Sequence, residues 1–280
     1  MNDWSTPRRR YAALVDCADD DIPLAHAAAS IALVAYPDLD VDAVVGELAA
    51  LATRVRGHIG STEAPRAQRA ALERVLFAEL GLRGNTEDYY DPRNSFLNDV
   101  LARRLGIPIS LSVVYITLGR MVGLALEGVG FPGHFLVRVV LGPGESVLVD
   151  PFGQGRDVSD ADLRALLAQM GGAETQLPSR YLARASTRDI LARMLGNLRG
   201  VYAGRGDAMK TLEVMEWLVL TQPENPMLKR DRGLLYHRLG SHEAAAQDLR
   251  AYLRGTPEAE DRAAIEHIIR RGAKARPTIH

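Results

Sequence analysis

The sequence predicts an α+β protein, with helices packed on a small antiparallel sheet, followed by an all-α helical array. Three observations predict it. Apolar residues recur at helical spacing from Ile22 to about Leu80. The period shortens to that of strands between Leu124 and Phe152. Beyond residue 186, two stretches repeat at a fixed offset of 34 residues. With 280 residues the chain has room for two ordinary domains, and its 47% apolar content supplies a core for each.

The elements follow in order. "PLAHAAASIALVAY" reads as a helix that stops at Pro37. "VDAVVGELAALATRV" follows Asp40, whose side chain can accept from the free amides of a first turn, and ends near Gly57. "PRAQRAALERVLFAEL" reads as a helix ending at Gly81, "GLRGNTEDYYDP" as a loop, and "RNSFLNDVLARRLG" as a short helix stopped by Gly106. "IPISLSVVYITLGRMVG" is entered through Pro108, a residue preorganised for a first turn. It is apolar on nearly every face and belongs at the centre. Its β-branched residues would also suit a strand, but its length and Gly123 favour a helix. "LALEGVGF", "HFLVRVVL" and "SVLVDPF" are short and β-rich, punctuated by Pro132, Gly133 and "GPGE", and read as a hairpin beside a further strand. The expected division is an N-terminal tail over 1–21, a first domain over 22–185, helical repeats over 186–272 and a C-terminal tail over 273–280.

In the repeats Tyr202 matches Tyr236, Gly206 matches Gly240 and Pro223 matches Pro257. The spacing is the tetratricopeptide period, in which each unit is a helical hairpin. "GRGD" at 204–207 is then a repeat turn. Two repeats and a final helix, "DRAAIEHIIRRGAKA", make an array too short to stand alone, so it is expected to pack on the first domain. It is either a helical cap or a peptide-binding surface.

Charge and composition exclude several classes. A net charge of −1 gives no global attraction to nucleic acid or to an anionic membrane. No apolar run approaches the length of a membrane span. After Arg8–Arg10 the apolar stretch is only "YAALV", too short for an export signal, so a cytoplasmic protein is expected. The single cysteine, Cys17, cannot make an internal disulfide or a zinc site and reads as an ordinary thiol. No metal-ligand cluster, phosphate-binding glycine loop or dinucleotide fingerprint is present, so no metal or cofactor is expected.

The chemistry concentrates in "GHFLVRVVLGPGESVLVDPFGQG". His134 enters one strand and Asp150 ends the next, which gives two thirds of a catalytic triad. Side chains alternate along a strand, so the two share a face only when paired residue numbers sum to an even number. A three-residue loop, Gly142 to Gly144, sets residue 141 opposite 145 and meets this condition. Asp150 then faces Leu136 and lies diagonal to His134. Such a pair either orients an imidazole for catalysis or pins strand to strand.

"YPDLD", "NSFLNDVLARRLGIPISLSVVY", "GVGFPGHFLVRV" and "VDPFGQG", in that order, resemble the bacterial SirB-type transglutaminase-like family. The likeness runs from about residue 22 to about 260. It implies a transglutaminase-like (papain-like) core with tetratricopeptide repeats at its C-terminus. In the wider superfamily a cysteine opens a buried helix, with a histidine on one strand and an aspartate on the next. His134 and Asp150 match the latter two. The ungapped register, with Gly123 fifteen residues beyond Pro108, puts Pro108 where the thiol should be. A slip of two residues brings Ser110 there.

Neither position is a cysteine, and two functions follow. One is a non-catalytic binding or regulatory protein that takes a peptide or protein partner on a degenerate core. The other is a serine-dependent hydrolase or acyl transferase using Ser110, His134 and Asp150. Ser110 is a nucleophile in the second reading and a first-turn cap in the first. Asn94, Ser95 and Asn98 either anchor the preceding loop or line the cleft with Pro108. Tyr89 and Tyr90 are an aromatic lip or loop packing. The binding protein is the favoured reading.

Overall fold

The computed structural model describes residues 6–60, 64–169 and 177–274. It divides into two compact units, residues 1–194 and 195–280. The first unit is the α+β part. Residues 7–15, expected as tail, form helix α1 (Pro7–Val15), which buries Tyr11 and Val15. Helix α2 (Leu24–Ser30) tightens into a 3₁₀ turn, Ile31–Val34, before Pro37. In α3 (Val41–Ile59) the Asp40 carboxylate accepts from Ala43 N at 3.0 Å, and Val44, Leu48, Leu51, Ala52 and Val55 make the buried stripe. Helix α4 (Pro65–Glu73) runs on as a π turn, Arg74–Glu79.

Two-residue strands β1 (Arg83–Gly84) and β2 (Leu105–Gly106) then pair in parallel around α5 (Leu97–Arg103). Gly106 was the expected stop of α5. The stop is Arg104, which takes the left-handed conformation at φ 62° while Gly106 belongs to β2. Helix α6 (Pro108–Met121) is the centre of the unit, buried at every residue from Pro108 to Gly119. An element apolar on all sides can be satisfied only there, and each fully buried aliphatic side chain contributes roughly 1.5–3 kcal/mol.

The sheet packs against this helix. Strands β3 (Leu126–Val129), β4 (Leu136–Gly142) and β5 (Glu145–Asp150) are the three expected ones. Two-residue strands β6 (Arg156–Asp157) and β7 (Arg184–Ala185) extend it at the edges, giving the antiparallel order β6-β5-β4-β3-β7. The β4–β5 pairs Val137–Val149, Arg138–Leu148 and Val139–Val147 satisfy the even-sum condition. The loop does so by a different route: Gly142 pairs with Glu145 across Pro143-Gly144, and an irregularity between Val140 and Gly142 absorbs the extra residue. Helix α7 (Asp160–Gln169) lays Leu163 and Leu167 on Val129, Phe131 and Leu136.

Helix α8 (Thr187–Gly204) crosses the division between the units. The expected domain boundary, at 185–186, is therefore displaced into this helix. The second unit continues with α9 (Ala208–Thr221), α10 (Pro226–Arg238), α11 (His242–Gly255) and α12 (Arg262–Lys274). The repeat is visible bond by bond. Gly206 and Gly240 adopt φ +72° and +79°, and the next residues, Asp207 and Ser241, donate to Tyr202 O and Tyr236 O at 3.0 and 2.9 Å. Only glycine enters that left-handed turn without strain. Of the expected tails, residues 1–5 and 275–280 lie outside the described residues. No described helix is long and apolar enough to cross a membrane.

Candidate functional site

His134 is delivered by a turn just before β4. Its amide donates to Phe131 O at 3.0 Å, and Gly133, at φ +67°, supplies the left-handed step. Asp150 closes β5, and the following Pro151 turns the chain so that Phe152 N donates to Asp150 Oδ1 at 3.0 Å. This is an Asx-type turn, a preference of an Asp-Pro step. The two side chains meet: His134 Nε2 lies 2.9 Å from Asp150 Oδ1. With the carboxylate ionised, Nε2 donates. The other ring nitrogen, Nδ1, has no hydrogen-bond partner among the described residues.

Asp150 is 4% exposed. Burial alone would push its carboxyl up. The hydrogen bond and charge of His134, the backbone amides of the turn and Arg156 outweigh it, and hold the carboxyl below the usual range. Arg156 Nε is 3.4 Å from Asp150 Oδ2. The turn is crowded: a Cβ on Gly153 would stand 2.8 Å from Asp150 Oδ2. Phe152 sets its ring edge-on to His134, with centroids 6.0 Å apart and planes at 89°. Gly84 of β1 makes room for that ring, since a Cβ there would lie 2.4 Å from Phe152 Cε2.

The third expected member is elsewhere. Ser110 is fully buried, and its Oγ donates to Asn94 O at 2.6 Å while accepting from Ile107 N at 3.0 Å. It makes no hydrogen bond to His134. It closes the first turn of α6 and ties that turn to the preceding loop. Ser112 reaches the residue after His134, with its Oγ donating to Phe135 O at 3.3 Å. Both hydroxyl protons are thus committed to backbone carbonyls.

Of the two readings of Asn94, Ser95 and Asn98, the bonds of Asn94 are those of an anchored loop. Asn94 is fully buried, accepts from Asn85 Nδ2 at 2.9 Å and donates to Asp88 O at 2.7 Å. Ser95 and Pro108 are buried as well. Asn98 is half-buried, and its Oδ1 is buried without a partner among the described residues. Tyr89 and Tyr90 do stand outward, T-shaped with centroids 5.4 Å apart, and Tyr90 is 71% exposed.

Sequence reasoning missed Phe152, Gly84, Arg156 and Arg193, whose Nη2 lies 3.4 Å from His134 O. The Asp-Pro step was a usable signal for Phe152. Gly84 and Arg193 come from distant segments and carried none, and Arg156, six residues after Asp150, lies beyond the motif that the sequence displays. Among the described residues no group of three or more His, Cys, Asp or Glu side chains could hold a metal ion.

A helix-led core in which a histidine just before β4 meets an aspartate at the end of β5 fits a transglutaminase-like protein. The chain belongs to the transglutaminase-like superfamily, whose family model matches residues 42–196, and a tetratricopeptide repeat model matches residues 198–270. It is 38% identical over 242 residues to a UPF0162 protein of Xylella fastidiosa, covering 85% of this chain and 86% of that one. A UPF0162 protein of Vibrio cholerae is 28% identical over 238 residues, 85% of this chain and 88% of its own. F-box only protein 21 of Homo sapiens is 31% identical over 180 residues, which are 61% of this chain but 28% of that protein. No solved structure matches the chain.

Proposed function

We propose that this chain is a non-catalytic binding or regulatory protein, which takes a peptide or protein partner on a transglutaminase-like core that has lost its nucleophile. One observation carries the reading. The His134–Asp150 pair is intact at 2.9 Å, but the hydroxyls of Ser110 and Ser112 donate to Asn94 O and Phe135 O. An attacking hydroxyl needs a base within hydrogen-bond reach to take its proton. Neither serine has one.

Cys17 offers no substitute, lying exposed between α1 and α2. The repeat match over residues 198–270 supports a protein-interaction role for the second unit. The likeness to 28% of F-box only protein 21 supports use of the core as a module within larger proteins. The SirB-type motifs support that finer family name. A cytoplasmic location belongs to the same proposal and is checked by fractionation.

The test is covalent. The folded full chain is treated with a serine-directed fluorophosphonate and a cysteine-directed vinyl sulfone, one small enough to reach His134. The reading expects no labelling that depends on His134. Labelling abolished by His134→Ala together with Ser110→Ala or Ser112→Ala would establish an enzyme and overturn it.

A further inference from the structure

We infer that the His134 site recognises a carboxylate carried on a peptide, and that Arg193 is its receptor. This deepens the binding role proposed above and rests on it. Arg193 is positioned with some care. The start of α8 is capped from far away in sequence, where Asp19 accepts from Thr187 N and Arg188 N, both at 2.8 Å. Ser186 and Asp189 close a reciprocal box on the same turn, with Ser186 Oγ donating to Asp189 Oδ2 at 2.8 Å and accepting from Asp189 N at 3.1 Å. Helix α8 cannot slide without breaking these bonds. It holds the Arg193 guanidinium against the His134 carbonyl.

Among the described residues that single long bond, at 3.4 Å, is the one hydrogen bond made by a group with five N–H donors. Among the described residues no carboxylate pairs with Arg193. Other arginines of the same unit differ. Arg156 faces Asp150 and Asp162, and Arg93 and Arg103 share Asp91. Asp150 in turn is saturated by His134, Phe152 N and Arg156. The site therefore presents one unspent fork of donors on the His134 carbonyl, and an imidazole whose Nδ1 has no partner among the described residues.

A planar fork matches a carboxylate in bidentate fashion, where a lone ammonium would not. The rim fits a peptide. Tyr89 and Tyr90 present exposed, amphipathic rings, and Arg193 is close enough to act on the Tyr89 phenol. Glu87 and Asp88, exposed on the same loop, repel a carboxylate from the loop side and leave Arg193 as the attractive end.

The experiment uses the full chain with ¹³C-labelled histidine, the His134 signal being assigned with His134→Ala. It is titrated to millimolar concentration with N-acetyl-Gly-Gly, with the C-terminal amide of the same peptide, and with N-acetyl-Glu-amide. The expected result is that an acid moves the His134 signal and the neutral amide does not. Whichever acid binds distinguishes a chain terminus from a side chain. Arg193→Gln should weaken the response about tenfold or more, since a charge-assisted pair is lost, and Arg193→Lys less.

Equal binding of acid and amide, or an Arg193→Gln response equal to wild type, overturns the carboxylate assignment and leaves the binding role standing. No shift with either acid overturns it as well. His134-dependent cleavage of a probe overturns the binding role itself. If Arg193→Gln does not fold, the acid-against-amide comparison and Arg193→Lys decide.

Discussion

Replacing Asp150 by asparagine tests the centre of the site. The carboxylate takes two good hydrogen bonds, from His134 Nε2 at 2.9 Å and Phe152 N at 3.0 Å, and a long one from Arg156 Nε at 3.4 Å. Both good donors meet the same oxygen, so an amide can keep its Oδ1 there but turns its NH2 toward Arg156 Nε. The charge that strengthens these bonds is lost at a nearly dry position and the Arg156 contact with it, which costs about 2–3 kcal/mol. For a unit of this size that is a fall in melting temperature of about 4–12 °C.

The pH dependence gives the sharper readout. The Asp150 carboxyl is held below its usual range in the folded chain, so its stabilisation is complete above the unfolded value of about 4. It is lost as the pH falls through that value toward the folded one, because the unfolded state then binds the extra proton. The gap between wild type and Asp150→Asn should be full at pH 7 and narrow steadily below about pH 4. Calorimetry of the full chain measures both. A variant as stable as wild type at neutral pH, or a gap that does not change with pH, would refute the reasoning.

Three further outcomes follow from the same geometry. Ser110→Ala should cost about 1–2 kcal/mol in a urea titration, because it uncaps Ile107 N and strands Asn94 O, and it should leave phosphonate labelling unchanged. Gly84→Ala should cost about 1–3 kcal/mol and shift the His134 NMR signal, since its Cβ would stand 2.4 Å from the Phe152 ring that borders the imidazole. Gly206→Ala and Gly240→Ala should each lose about 1 kcal/mol by equal amounts, because both sit at positive φ with nothing within 4 Å of a new Cβ, so backbone strain is the whole cost.

What the sequence discloses depends on how far each signal reaches along the chain. α3, α6 and the three longer strands are legible because their burial repeats over several turns or pleats. The repeat turns are legible because Gly206 and Gly240 answer the same φ requirement. α1 is not, since two buried residues make no periodic pattern. Nor are β1, β2, β6 and β7, two residues each, which pair only because larger elements bring them together. Arg104 shows a local rule overridden: glycine is the usual left-handed stop, but Gly106 is used for the close approach of Ser110, whose Oγ would lie 2.8 Å from a Cβ there. Parity brought Asp150 to the histidine face, although an irregularity rather than a longer loop supplies it. The direction of the Ser110 hydroxyl was out of reach, because its acceptor lies sixteen residues earlier.

On the proposed binding role, the start of α6 accounts for a nucleophile lost while its partners stay. Ser112 bonds Phe135 O, and Gly119 packs on Leu126, which pairs with Val139, so α6 runs parallel to β4. Pro108, four residues and about 6 Å before Ser112, therefore lies toward the His134 end. Proline at the first helical position and serine at the third are the residues a helix start favours for its own closure. They stand where the family resemblance would put the thiol. On that reading, Pro108 has no proton to give and the Ser110 hydroxyl is bound at 2.6 Å to Asn94 O rather than to His134.

The imidazole and the carboxylate have reason to remain all the same. Asp150 is buried, and burying a charge is costly unless donors meet it, so removing His134 would leave a carboxylate short of one of its two good bonds. The pair also fixes the turn that carries Phe152. Structural demand alone thus keeps a histidine oriented with one nitrogen free. A pocket so maintained can bind whatever its unspent donors fit.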